Sequence, residues 1–233
     1  MANRPDIYSK VHKGLRKALF DLSYTTGNTD FTNDESLVAL AKLYHDVVKF
    51  LDEHGKNEEL YQLPLLESKI PGSVKHDKLE HEIIERKINL LNRSFNNLIS
   101  SSNGDRKLKG EVFYHLLNEF ISDYLNHMRD EELETAKLFY EHCTDEEISS
   151  ALKKIVANMM PQDMMLMLKY MIPAINDNER FELLKGIKTN APQPAFNAIM
   201  ILTQSLLSAN DWEHLHSIIS TLEKKPEVWE AVA

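Results

Sequence analysis

With 233 residues, 42% of them apolar and 27% charged, the chain can bury a sizeable core, and no run approaches the ~18 consecutive apolar residues of a membrane span. A net charge of −9, from 36 acidic against 27 basic side chains, opposes binding to nucleic acid. Cys143 has no second cysteine to pair with, and the N-terminus shows no apolar leader, so a cytoplasmic protein stabilised by packing or by metal is expected.

Seven glycines, eight prolines and long stretches with apolar residues three and four apart predict an all-α chain. The first helix is expected from Ile7 to Ser23, ending in Thr25-Thr26-Gly27-Asn28. Thr32 or Asn33 caps a second, which runs to about Leu66 and breaks at Ile70-Pro71-Gly72. A third is expected from Ser73 to Ile99 and a fourth from Leu108 to His142, with the basic cluster Arg106-Lys107-Leu108-Lys109 opening in a polar connector. Four amphipathic segments with polar connectors are the pattern of an up-down-up-down four-helix bundle over residues 1–145.

After Cys143, a helix start at Thr144-Asp145-Glu146-Glu147 leads into shorter helices punctuated by Pro161, Pro173, Pro192 and Pro194. Residues 146–233 are therefore expected to form a helical extension packed on the bundle. It contains Met159, Met160, Met164, Met165, Met167 and Met171. Such a stretch reads as packed core, or as an adaptable surface for a protein partner or self-association.

At about 100° per residue, one histidine on each long helix shares the apolar face of that helix. His12 aligns with Tyr8, Leu15 and Leu19, and His54 with Val47 and Phe50. His81 aligns with Ile84, Ile88 and Phe95, and His127 with Phe113 and Phe120. Glu58 and Glu131 each follow their histidine by one turn on the same face, so each His-x-x-x-Glu pair can converge on one ion. Glu132 is rotated away, and His45 and His115 lie off the core faces.

On the third helix Asp77 lies about 40° from His81, whereas His76 lies about 140° away. Asp77 is thus a candidate metal ligand or its hydrogen-bond support, and His76 a candidate that enters only if the helix start unwinds. A lone core histidine is ordinarily satisfied by a hydrogen bond. Four histidines and two glutamates facing inward need shared partners, because unpaired buried carboxylates cost several kcal/mol. Imidazole with carboxylate suits iron, manganese or zinc rather than calcium or magnesium.

The order His12, His54-Gly-Lys-Asn-Glu58, Glu80-His81-Glu82 and His127-Met-Arg-Asp-Glu131 resembles the hemerythrin family of cation-binding domains over roughly residues 7 to 145. That resemblance implies two non-haem iron ions, with His12, His54, His81 and His127 as terminal ligands and Glu58 and Glu131 as bridges. Oxygen-carrying members place a fifth histidine where Asp77 stands, which alters the charge at one iron. Tyr170-Met-Ile-Pro173-Ala and Glu179-Arg180 resemble a helical extension found in some bacterial members.

The expected function is a di-iron protein that meets dioxygen, nitric oxide or peroxide as sensor, scavenger or store. The alternatives are a metal-free helical interaction module, or a ferritin-like di-iron oxidase built on Glu213-His-Leu-His216. No serine or cysteine sits in a nucleophile elbow and no glycine-rich phosphate loop is present, so no catalytic residue is assigned.

Overall fold

The computed structural model describes residues 4–221, and among these every regular element is helical. Helix α1 (Ser9–Gly27) begins where the Asp6 carboxylate accepts the amide hydrogens of Ser9 and Lys10, at 2.9 and 3.3 Å. It runs past the expected stop at Ser23. Thr26 is buried and returns its hydroxyl to the Leu22 carbonyl at 2.7 Å, so the threonines extend the helix instead of ending it.

Helix α2 starts at Asp34, capped by Asn33, whose side chain accepts the Ser36 amide hydrogen at 2.9 Å. Its α-helical part Asp34–Asn57 passes through a π-helical turn, Glu58–Gln62, into Leu63–Lys69. Pro64 explains the turn. Proline has no amide hydrogen, and its ring would crowd the Leu60 carbonyl in a regular helix. The ladder widens instead, and the Leu63 amide reaches back five residues to the Glu58 carbonyl.

Gly72, at φ +88°, makes the tight turn into helix α3 (Lys75–Ile99). Helix α4 has the same construction as α2: Asn103–Asp130, a π-helical turn at Glu131–Thr135, then Ala136–His142. It begins five residues before the predicted Leu108, so the basic cluster is helical rather than a loop. Arg106 secures that first turn, with guanidinium contacts to the Ser101 carbonyl (3.2 Å) and the Asp34 carboxylate (2.6 Å).

Five shorter helices follow: α5 (Asp145–Asn158), α6 (Pro161–Ala174), α7 (Asp177–Asn190), α8 (Gln193–Leu206) and α9 (Ala209–Thr221). Reciprocal capping boxes, Thr144 with Glu147 and Asn176 with Glu179, open α5 and α7. Prolines 161 and 194 occupy first-turn positions, where a missing amide hydrogen costs nothing. None of the described helices is long and apolar enough to cross a membrane.

The bundle core runs through Leu15, Leu19, Tyr44, Phe95, Phe113 and Leu117. A separate core of Leu168, Ile172, Leu184, Phe196, Ile199 and Leu215 holds the extension together. The two layers meet along α1 and α6. Tyr170 enters the bundle core and stacks on Phe50 at 5.8 Å, while Lys169–Asp46 (2.8 Å), Lys13–Glu179 (2.5 Å) and Lys49–Asp163 ion pairs rim the contact. The methionine-rich stretch divides accordingly. Met164 and Met165 pack into the extension core, Met167 against the bundle, and Met171 is buried between layers, whereas Met160 is 58% exposed.

Gly14 sets how closely α6 approaches: a Cβ there would lie 2.8 Å from Met171 Cγ and 3.1 Å from Met171 Cα. Two effects therefore oppose each other in Gly14→Ala. Helix propensity favours alanine by about 1 kcal/mol, and the clash with backbone atoms of α6 costs about 1–3 kcal/mol. The clash is expected to win, lowering the melting temperature in calorimetry; a rise would mean that the two layers part easily.

Candidate metal centre

Four histidines and two glutamates from four helices meet in the interior. His12 lies on α1, His54 on α2, His81 on α3 and His127 on α4. Glu58 and Glu131 are each the first residue of a π-helical turn. All six are buried, none more than 9% exposed. Their ligand atoms form two overlapping groups, His12, His54, Glu58, Glu131 and Glu58, His81, His127, Glu131, within each of which the atoms lie no more than 4.8 Å apart.

Both groups share the two carboxylates. Nε2 of His54 lies 3.2 Å from Glu58 Oε1, and Nε2 of His81 lies 3.4 Å from Glu58 Oε2. On Glu131, Oε2 is 3.3 Å from His12 Nε2, and Oε1 is 3.2 Å from His127 Nε2 and 3.6 Å from His81 Nε2. These spacings exceed the ~2.7–2.9 Å of a charge-assisted hydrogen bond. The ring nitrogens and carboxylates face a common space more than they bond to each other. Both Glu58 oxygens, Glu131 Oε2 and His81 Nε2 have no hydrogen-bond partner although fully buried. Orphaned carboxylate oxygens cost several kcal/mol in an apolar interior, and a cation would satisfy all of them together. The donor set therefore fits a pair of metal ions.

Three histidines are oriented from behind by carboxylates. Nδ1 of His12 meets Glu132 at 3.0 Å, that of His81 meets Glu59 at 3.2 Å, and that of His127 meets Glu80 at 2.9 Å. Arg16 clamps Glu132 with two bonds, at 2.7 and 3.0 Å. Such partners fix the tautomer and leave Nε2 free for a metal. Glu132 leaves the Glu131 face, as its rotation predicts, and that rotation carries it onto His12 of the neighbouring helix. Each outer glutamate is adjacent in sequence to a member of the inner six, in Glu58-Glu59, Glu80-His81 and Glu131-Glu132. That adjacency is the signal that inspecting one helix at a time misses.

Asp77 is buried but belongs to neither group, and its Oδ1 accepts the Thr135 hydroxyl at 2.6 Å. The π-helical turn of α4 places Thr135 there. His76 is 63% exposed, with Nε2 3.5 Å from Glu80. Because α3 is regular from Lys75 onward, the unwinding that would swing His76 inward does not occur. His45 and His115 are exposed, as their rotation predicts, and Glu213 and His216 both lie on the exposed side of α9.

The electrostatics follow from crowding. Burial opposes protonation of His12 and His81, but contacts with Glu131 and its neighbours outweigh it and lift them to about 9 and about 11. Burial and the nearby His12 charge keep His54 neutral, well below its ordinary value. Burial together with repulsion from Glu131 raises Glu58 to about 8, while the histidines hold Glu131 well below the carboxylate range against the effect of its burial. The metal-free cluster thus favours protonated His12, His81 and Glu58 at neutral pH. Tyr8 stacks on His12 at 5.1 Å, and Tyr124 lies edge-on to His127 at 5.6 Å. Burial and the glutamates push both phenols well up, so both remain neutral.

A groove of about 560 Å³ touches His81, His127 and Tyr124 and has a charged rim that includes Lys56 and Glu59. A cavity of about 290 Å³ touches His54 from the opposite side.

Residues 5–139 match the family model for the hemerythrin HHE cation binding domain. A relative, F-box/LRR-repeat protein 5 of Xenopus laevis, is 23% identical over 165 residues, an alignment that covers 67% of this chain and 23% of that protein. The chain thus spans less than a quarter of that relative's length.

The outer glutamates should be detectable as metal affinity. Glu132→Ala leaves the inner six residues in place and is expected to weaken metal retention by about 10–100-fold, read by competition with a chromophoric chelator. His45→Ala, on the surface, should leave retention unchanged. Equal effects of the two would show that the carboxylate behind His12 contributes nothing to the centre.

Proposed function

The chain belongs to the hemerythrin HHE cation-binding family, and from that membership and its buried centre we propose that it is a non-haem di-iron protein whose ligand is dioxygen, nitric oxide or peroxide. The observation that carries this reading is the sharing of Glu58 and Glu131 between two histidine pairs, which sorts the ligand atoms into two groups instead of one. His12 and His54 would hold one ion, His81 and His127 the other, and the two glutamates would bridge them. Manganese or zinc suits the same donors less specifically.

A bound iron pair would supply redox chemistry with open coordination positions. The protein's own residues supply the rest. Glu132, Glu59 and Glu80 hold three imidazoles in register, and Arg16 pins Glu132. Tyr8 and Tyr124 pack neutral rings against His12 and His127. Asp77, engaged with Thr135, stands where oxygen-carrying members have a fifth histidine. That favours a sensing, scavenging or storage role over reversible oxygen transport, in a cytoplasmic setting. A ferritin-like oxidase loses its support, because Glu213 and His216 lie on the exposed side of α9 and not in the centre.

Two measurements test the reading. Freshly purified protein from iron-supplemented cells is expected to carry about two iron ions per chain, by elemental analysis and an absorption spectrum. Metal content near zero would return the fold to a metal-free interaction module.

The second measurement is pH dependence. In metal-free protein, His12 and His81 titrate near 9 and 11, above their ordinary 6.5, and Glu58 near 8, above its ordinary 4.5. Each raised group stabilises the fold fully below its ordinary value and less as pH rises towards its folded value. The melting temperature of metal-free protein should therefore fall between pH 6.5 and 9, while metal affinity climbs over the same interval as protons leave. A metal-free melting curve that rises across this window would refute the protonated-centre account.

A further inference from the structure

The cavity beside His54 belongs to neither layer alone. From the bundle it is lined by Phe50, His54 and Gln62, and from the extension by Leu152 on α5 and by Met167 and Met171 on α6. The surrounding surface is largely apolar. Its volume, about 290 Å³, lies at the small end of ligand pockets, too small for most cofactors and ample for a molecule of a few atoms. Apolar surface of this extent can take up small apolar guests. Asp6, Lys10, Glu53 and Asp163 also line it, and the Gln62 carboxamide oxygen, buried and without a partner, is a further polar group there. The groove on the opposite side is the more polar of the two, with Lys49, Asp52, Lys56 and Glu85 around His81 and His127.

We propose that this cavity is an antechamber for small apolar molecules, built jointly by bundle and extension, through which they reach the His12–His54 half of the centre. Charged species use the groove on the His81–His127 side. The methionine-rich stretch then has a specific use: unbranched thioether side chains form a wall that yields to a guest without leaving a fixed void. The extension acts as the outer wall of a passage that the bundle alone would leave open to water. The route rests on the di-iron reading; the cavity does not.

Xenon and nitric oxide separate the two. In protein labelled with ¹³C at the methionine methyls, xenon pressure is expected to shift Met159, Met167 and Met171, which line the cavity, and not Met128, which is buried in the bundle core. Leu152→Trp and Met167→Trp fill the space from different helices. The first should abolish the xenon shifts, and both, once shown to melt like the parent, should slow nitric oxide association with iron-loaded protein by about tenfold while leaving azide association unchanged. Absent xenon shifts in the parent protein overturn the cavity. Unaltered nitric oxide rates in the filled variants overturn the route. A chain that takes up no iron sinks the di-iron reading and the route with it, and the xenon shifts still decide the cavity.

Discussion

Two carboxylates placed back to back in an apolar bundle are the constraint on which the structure depends. Glu58 and Glu131 cannot both be ionised in that interior without positive charge between and around them. Four imidazoles, one per helix, are drawn to the same few ångströms, and their rear nitrogens in turn draw Glu59, Glu80 and Glu132 inward. The order of helices, the positions of the histidines and the outer ring of acids all answer to that single electrostatic demand. The fold supplies four inward faces at one level, and the pair of glutamates determines what can stand on them.

How much of this is legible in the sequence depends on the range of the interaction concerned. The inward faces of His12, His54, His81 and His127 follow from a fixed rotation per residue, because each face is set by the apolar neighbours on its own helix. The same arithmetic puts His45, His115 and His76 outside, and the structure leaves them at the surface. Helix starts marked by side-chain caps, at Asn33 and Thr144, are equally local. Where the expected ends failed, a contact from elsewhere intervened. Arg106 reaches Asp34 on another helix and so begins α4 early, and Thr26 finds room in the core and prolongs α1.

The centre shows the same division. Glu132 could not be placed from its own helix, since its partners His12 and Arg16 lie on α1. The sequence leaves Asp77 between two roles, because the residue that claims it, Thr135, is brought within reach by a π-helical turn. The turn in α2 has a local cause in Pro64. The turn in α4 has no proline, and no rule of composition locates it. What it shares with the first is a carboxylate of the inner six at its opening residue.

That repetition has a consequence for the two halves of the centre. Helices α2 and α4 present the same sequence of parts: a histidine, a glutamate one turn later, and a widened turn that begins at the glutamate. The inner six residues therefore pair off, His54 with His127, Glu58 with Glu131 and His12 with His81. Glu59 behind His81 and Glu132 behind His12 keep that pairing, and the surroundings farther out break it. Asp77 with Thr135 lies among α3 and α4, and an apolar wall from the extension faces His54 alone. A charged groove faces His81 and His127. The two halves of the centre therefore offer a cation unlike surroundings, apolar on the His54 side and charged on the other.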